Sequence, residues 1–134
     1  MPDSNILSLI KNMQPQLHEG TYVFCTVPEI SIEILQNCIM IFKEDEGFTL
    51  ILDKQYADKV AIQYQYVAAW ITLKVNSSLE ATGFTTAFSR ALSDEGISCN
   101  VVAAYHYDHI FVALNDGEKA IDTLKNLSNN FKST

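Results

Sequence analysis

The chain has 134 residues, of which 48% are hydrophobic and 19% charged, a composition typical of one compact domain or of two very small ones that share a core. Its formal net charge of −7 argues against nonspecific binding to nucleic acids or anionic membranes, because such partners require a basic surface. The sequence has no apolar run long enough to span a bilayer and no signal peptide, so we expect a cytoplasmic protein.

The N-terminal half is predicted to be rich in strands. Ser4 is a suitable N-cap for a short helix that ends at Met13. The strand that follows is apolar on both faces, which indicates a central position in a sheet. A hairpin comes next, and Gly47 supplies the positive φ that its tight loop requires. The predicted elements are strands at 20–27, 38–42 and 48–52, with a helical turn at 53–60 before the chain enters 61–67.

The C-terminal half shows a clearer pattern of alternating elements. A strand at 69–75 places Ile71, Leu73 and Val75 on one face. A polar loop leads into a helix with an apolar stripe, and Gly96 is suited to end that helix. The predicted order is strand 69–75, helix 83–95, strand 97–105, strand 109–114 and helix 116–131.

This block resembles the ACT domain, a ferredoxin-like βαββαβ module that binds amino acids and regulates metabolic enzymes. The family pattern has an acidic residue, two variable positions, a glycine, and then an apolar helix that ends in "ALxxxGIN". The matching residues here are Glu80, Gly83, Ala91, Leu92, Gly96 and Ile97. Thr82 and Ser98 stand where many members have Pro and Asn. Longer stretches resemble a family of small stand-alone bacterial proteins with tandem ACT-like domains, namely residues 20–28, 44–52, 75–83 and 97–112.

The resemblance implies an α+β fold with a ferredoxin-like antiparallel sheet and helices on one face. We expect two ACT-like halves, at 1–64 and 65–134. The second half ends before its fourth strand, so we expect the strand at 20–27 to complete its sheet and the two halves to be intertwined. Trp70, Val102 and Phe111 lie on the face away from the helices, so we expect another sheet or a second subunit to cover them, and we favour a homodimer over a monomer.

The loop between the first strand and helix of the second half is the predicted ligand site. Its amides and the start of the helix favour a carboxylate, and Glu80, Glu44 or Asp45 is a candidate to hold an ammonium group. The alternative is a polar connection whose serines only cap the helix. Asn100 lies in an apolar strand, where its amide needs either the ligand or a neighbouring loop as its partner. The predicted ligand-binding residues are Asn76, Ser77, Ser78, Leu79, Glu80, Thr82, Gly83, Phe84 and Asn100.

Other chemistry has weaker support in the sequence. His106, Asp108 and His109 are metal-ligand residue types, but neighbours in a strand or tight turn point in different directions, so we favour a polar turn or interface. The cysteines, at positions 25, 38 and 99, are predicted to be reduced core thiols. No phosphate-binding loop, dinucleotide fingerprint or nucleophile elbow is present. We therefore expect no catalytic site, metal or cofactor.

The sequence thus favours a regulatory protein that binds a small molecule, most plausibly an amino acid, and couples binding to assembly or to a separate partner. The alternative is a protein–protein interaction module that has an ACT-like fold and no ligand pocket. A third, weaker possibility is an enzyme that uses Cys99 or His109.

Overall fold

A computed structural model describes residues 2–132 and shows an α+β fold. The helices are α1 (Ile6–Asn12), α2 (Ile32–Asn37), α3 (Lys54–Lys59), α4 (Phe84–Asp94) and α5 (Gly117–Lys132). The strands are β1 (Gln14–Leu17), β2 (Tyr22–Val27), β3 (Cys38–Glu44), β4 (Gly47–Asp53), β5 (Tyr66–Lys74), β6 (Asn100–Ala103) and β7 (Asp108–Ala113). A short 3-10 helix spans Leu114–Asp116.

The chain divides into two compact units. The central unit is Glu19–Ala69, and the terminal unit combines the N-terminal segment up to His18 with the chain from Trp70 onward. Strand β5 contributes its first residues to the central unit and its last residues to the terminal unit. Within residues 2–132, no helix has the length and apolar character that a membrane span requires.

In the central unit, β2 lies between β4 and the first part of β5, with antiparallel pairing on both sides. Strands β3 and β4 form the predicted hairpin, whose Gly47 has a φ of +142°. A Cβ on Gly47 would lie 2.9 Å from the carbonyl oxygen of Val27, so a larger residue is excluded there. The central position predicted for the strand at 20–27 is confirmed.

In the terminal unit, β7 lies between the last part of β5 and β6. Helices α1 and α4 both pack against α5. The core between the helices and the sheet contains side chains that are fully buried, among them Leu9, Ile71, Phe88, Ile110 and Leu124. The hydroxyl of Ser128, itself 3% exposed, donates to the carbonyl oxygen of Lys11 at 2.9 Å and ties α5 to α1.

The identity of the strand that completes the terminal sheet differs from the prediction. Strand β1 pairs antiparallel with β5, from Gln14 opposite Lys74 to Leu17 opposite Ile71. The strand predicted for this role, at 20–27, pairs with Tyr66–Ala68 in the central unit instead. The predicted intertwining is confirmed, because a segment from the start of the chain completes the sheet of the second half, but the assigned strand was wrong. Strand β1 is held in the sheet by backbone pairing with β5, and its sequence, Q-P-Q-L, lacks the alternating apolar pattern that predicts a strand.

The sheet face that carries Trp70, Val102 and Phe111 is partly covered within the chain. Phe111 is only 1% exposed, and its ring stacks with that of Trp70 at a centroid distance of 6.0 Å. His18 stacks on Trp70 at 3.6 Å, while Val102 stays partly exposed. A homodimer is therefore not needed to bury Phe111.

Candidate functional site

The loop after β5 is held in place by the start of the chain. The Asp3 N–H donates to the carbonyl oxygen of Asn76, and the Ser78 N–H donates to the carbonyl oxygen of Asp3, both at 2.8 Å. Asp3 and Ser77 form a parallel bridge. These two backbone hydrogen bonds connect the N-terminal segment to the loop and pair their otherwise unsatisfied backbone groups.

Several loop amides already have partners within the loop. The Ser77 N–H donates to the carbonyl oxygen of Val75 at 2.9 Å, and the Ala81 N–H donates to that of Ser78 at 3.0 Å. The Glu80 N–H donates to the Ser78 hydroxyl at 3.1 Å. These amides stabilise the loop and are not free to bind an anion.

Helix α4 begins without a side-chain cap. Its N-cap is Gly83, which has a φ of +89° and offers no side-chain acceptor to the first turn. The first intrahelical bond runs from the Ala87 N–H to the Gly83 carbonyl, so the preceding N–H groups at Phe84 and Thr85 have no helical partner. Unpaired N–H groups and the helix dipole together make this end of the helix attractive to an anion.

The structure gives Gly83 a structural role. A Cβ in this position would lie 2.8 Å from the Cδ1 atom of Ile6 in α1, and a φ of +89° disfavours any L-residue. Glycine is therefore required by the backbone and by the packing of α1, whether or not a ligand binds.

A cavity of about 80 Å³ lies between this loop and the sheet. Its walls are formed by the loop and the first turn of α4, together with Ala103 of β6 and Asp108 of β7. Ala103 and Asp108 are paired neighbours in the β6–β7 ladder, which brings both to the same end of the sheet. The loop and helix residues that line the cavity are Ser77, Ser78, Leu79, Ala81, Phe84 and Thr85.

Asp108 supplies the acidic group of the cavity. Its side chain is half-buried, and this burial raises the pKa of its carboxyl group above the ordinary value. A partly desolvated carboxylate near a helix N-terminus can hold an ammonium group while the helix amides hold a carboxylate. The sequence analysis weighed Asp108 as a metal ligand and favoured a polar turn or interface, and it named other residues to hold the ammonium.

The other predicted site residues lie outside the lining of this cavity. Asn76, Glu80, Thr82 and Gly83 belong to the same loop and are exposed. The Asn100 side chain donates from Nδ2 to the carbonyl oxygen of Phe111, its cross-strand partner, at 3.2 Å. Glu44 and Asp45 belong to the β3–β4 hairpin of the central unit. The structure thus groups Ser77, Ser78, Leu79 and Phe84 of the predicted set.

The remaining chemical candidates have the following surroundings in the structure. No group of three or more His, Cys, Asp or Glu side chains suited to a metal occurs within residues 2–132. His106 is exposed beside Tyr105, whereas His109 accepts a hydrogen bond from Trp70. Burial raises the pKa of the Cys99 thiol to about 11, which keeps it protonated and a poor nucleophile at neutral pH.

Comparison with known proteins identifies the family. Two ACT-domain family models match the chain in tandem, at residues 3–69 and 65–126. A Vibrio cholerae protein of unknown function, described as a possible transport protein, is 38% identical, with 91% of this chain and 94% of that chain covered and a TM-score of 0.82. Comparison with functionally characterised sequences gave no significant match.

More distant structures share the fold. An Agrobacterium tumefaciens protein is 22% identical, with 87% of this chain and 89% of that chain covered and a TM-score of 0.63. The regulatory subunit of aspartate kinase from Thermus flavus is 10% identical, with 85% and 96% covered and a TM-score of 0.62. The tandem matches span both halves of the fold described above, and the chain belongs to the ACT domain family.

Proposed function

We propose that this protein is a regulatory module that binds a small amino acid in the cavity between the 77–85 loop and Asp108. One observation carries the proposal: the open first turn of α4 and the half-buried Asp108 carboxylate border the same cavity. An α-amino acid carries a carboxylate and an ammonium on adjacent carbon atoms, which matches a donor-rich helix end beside an acid. ACT domains are typically ligand-binding regulatory modules, which agrees with this assignment.

The size of the cavity limits the ligand. Its volume of about 80 Å³ is well below the roughly 300–1,000 Å³ of most small-molecule pockets. We propose a ligand with a small side chain, such as glycine, alanine or serine. A larger amino acid would require the loop to open or a second copy of the chain to complete the site.

The same volume favours the second candidate function. A protein–protein interaction module without a ligand pocket would retain such a small cavity, and its exposed apolar side chains would mediate contacts. Ile32, Leu35 and Phe42 are 76%, 56% and 64% exposed in the central unit, and exposed apolar side chains mark an interaction surface where they form a contiguous patch.

We further propose that the protein is a cytoplasmic, non-catalytic homodimer whose ligand biases assembly or a separate partner protein. The proposed division into halves at 1–64 and 65–134 is supported by the family matches, which overlap at residues 65–69 within or just before β5. Binding alters assembly only if the ligand has different affinities for the two states.

Thermal-shift screening of the amino acids, followed by calorimetric titration of each hit, tests the proposal. We expect Asp108→Asn to weaken binding by about 10- to 150-fold, because a hydrogen bond between charged groups contributes roughly 1.5–3 kcal/mol. Glu80→Gln is the matched control, since Glu80 is exposed and outside the cavity lining, and it should bind normally. If no amino acid binds, the interaction-module function is favoured; unchanged affinity in Asp108→Asn would place the site elsewhere.

A further inference from the structure

A network of four side chains in the terminal unit has no part in the proposed ligand site. It consists of His18, Trp70, Thr72 and His109, which we call the imidazole–indole cluster. The His18 ring stacks on Trp70 with a centroid distance of 3.6 Å and an interplanar angle of 10°. The Thr72 hydroxyl, on a residue only 2% exposed, lies 2.6 Å from His18 Nε2 and 2.9 Å from His109 Nδ1.

The indole of Trp70 determines the direction of these hydrogen bonds. Its Nε1–H lies 3.0 Å from His109 Nδ1, and an indole nitrogen can only donate. Nδ1 of His109 must therefore accept, so the neutral ring carries its proton on Nε2. When the single Thr72 hydroxyl hydrogen points at His109 Nδ1, it shares the one lone pair of that nitrogen with the indole N–H, and the Thr72 oxygen accepts from His18 Nε2–H.

The two imidazoles respond differently to a proton. Protonation of His18 adds hydrogen at Nδ1, the nitrogen that does not face Thr72, and leaves the Nε2–H bond intact. Protonation of His109 adds hydrogen at Nδ1, which faces the N–H of Trp70. Two donors then oppose each other across 3.0 Å, and the bond cannot persist.

The surroundings of both imidazoles favour their neutral forms. Burial lowers the pKa of His109, and the neighbouring His18 and Lys74 lower it further. Burial and Lys74 likewise lower the pKa of His18. The cross-strand partner of His109 on β6 is the uncharged Val102, and Asp108 precedes His109 on β7.

The cluster also fastens the N-terminal segment to the sheet. The His18 N–H donates to the Trp70 carbonyl at 2.9 Å, directly after the four paired residues of β1. We propose that His109 is a proton sensor whose protonation breaks the Trp70–His109 bond and loosens the attachment of β1 and His18 to β5. The imidazole–indole cluster therefore makes the attachment of β1 to the terminal sheet sensitive to pH.

The sign of the pH dependence follows from linkage. The folded state binds the proton less readily than the unfolded state, so the stabilisation is complete above the ordinary pKa of 6.5 and is lost as the pH falls through the lowered value. Relative to a variant that cannot titrate at this position, the folding equilibrium constant should fall about tenfold per pH unit between 6.5 and the midpoint.

Fluorescence provides a direct test, because Trp70 is the only tryptophan in the chain. We expect a change in Trp70 emission with a midpoint below pH 6.5. In a His18→Phe background, where the ring stacked on Trp70 does not itself titrate, His109→Asn should abolish this change, since the amide oxygen can still accept from the indole but does not titrate. His106→Asn, the same substitution at an exposed histidine, should leave the transition unchanged.

Nitrogen-detected NMR of the wild-type imidazoles keeps the inference testable if His109→Asn does not fold. We expect the Nε2–H form of His109 at pH 7.5. The hydrogen-exchange rates of the β1 amides, after correction for the intrinsic pH dependence of exchange, should rise several-fold at pH 5.5. A neutral His109 with its proton on Nδ1 would overturn the proposal. So would a fluorescence transition that survives when His109→Asn is combined with His18→Phe.

Discussion

Leu9→Ala tests whether the first helix is an integral part of the fold of the terminal unit. Leu9 is completely buried, and its neighbours Ile10 and Met13 are each 2% exposed. Truncation of a buried leucine to alanine typically costs about 2–5 kcal/mol, and the cost is higher where the surroundings cannot collapse into the cavity. Because α1 packs against both α4 and α5, we expect a loss of about 3–5 kcal/mol, a large part of a typical total stability of roughly 5–15 kcal/mol.

Urea unfolding followed by circular dichroism measures this loss. The matched control is Leu7→Ala in the same helix, where the side chain is 52% exposed and the expected cost is below about 1 kcal/mol. Hydrogen exchange should also show reduced protection of α5 in Leu9→Ala. Equal costs for the two variants, or a Leu9→Ala cost below about 1 kcal/mol, would refute the conclusion that α1 and α5 share a core.

Three further predictions concern the backbone, the intertwining and the cavity. Gly83→Ala should lower stability without ligand by more than Gly96→Ala in the same denaturation assay. Both positions have a left-handed φ, which costs about 1–2 kcal/mol, but only the Cβ at position 83 also meets Ile6, whereas nothing lies within 4 Å of the new Cβ at position 96. A fragment that starts at Gln65 lacks α1 and β1 and should show no cooperative unfolding by calorimetry until a peptide of residues 2–18 is added; native-like stability of the fragment alone would contradict intertwining. Burial raises the pKa of Asp108 above its ordinary 3.8, so its ionised form destabilises the fold at neutral pH. The stability of the wild type relative to Asp108→Asn should therefore improve as the pH falls through the raised pKa towards 3.8. The affinity for an amino acid, measured by calorimetry, should fall over the same range.

The sequence predicts elements well where one face is strongly apolar. Helices α4 and α5 and the β3–β4 hairpin follow from periodicity and glycine placement, since buried residues recur at the spacing of each element. Helix α2 was missed because none of its residues is buried, so its pattern does not identify a core face. Strand β1 was missed because its pairing to β5 rests on backbone groups, which any sequence possesses.

Only the part of the site that is continuous in sequence, the loop and the start of α4, was predictable. The loop and the start of α4 follow from a strand that ends in small polar residues before an apolar helix, and the cavity is indeed bordered by Ser77, Ser78 and Phe84. Asp108 comes from a distant strand and reaches the cavity through its pairing with Ala103. Register within a ladder depends on turn geometry, so only an assumed β6–β7 alignment could have indicated this carboxylate. Asn100 similarly has its partner across the ladder.

Amide chemical-shift mapping tests the central claim most directly. Isotope-labelled protein should be titrated with the amino acid that gives the largest thermal shift, and the backbone amides followed by NMR. The account predicts that the largest changes occur at Phe84, Thr85 and Asp108, with smaller changes along the 77–81 loop. Changes concentrated in the central unit, Glu19–Ala69, with the α4 N-terminus unaffected, would contradict it.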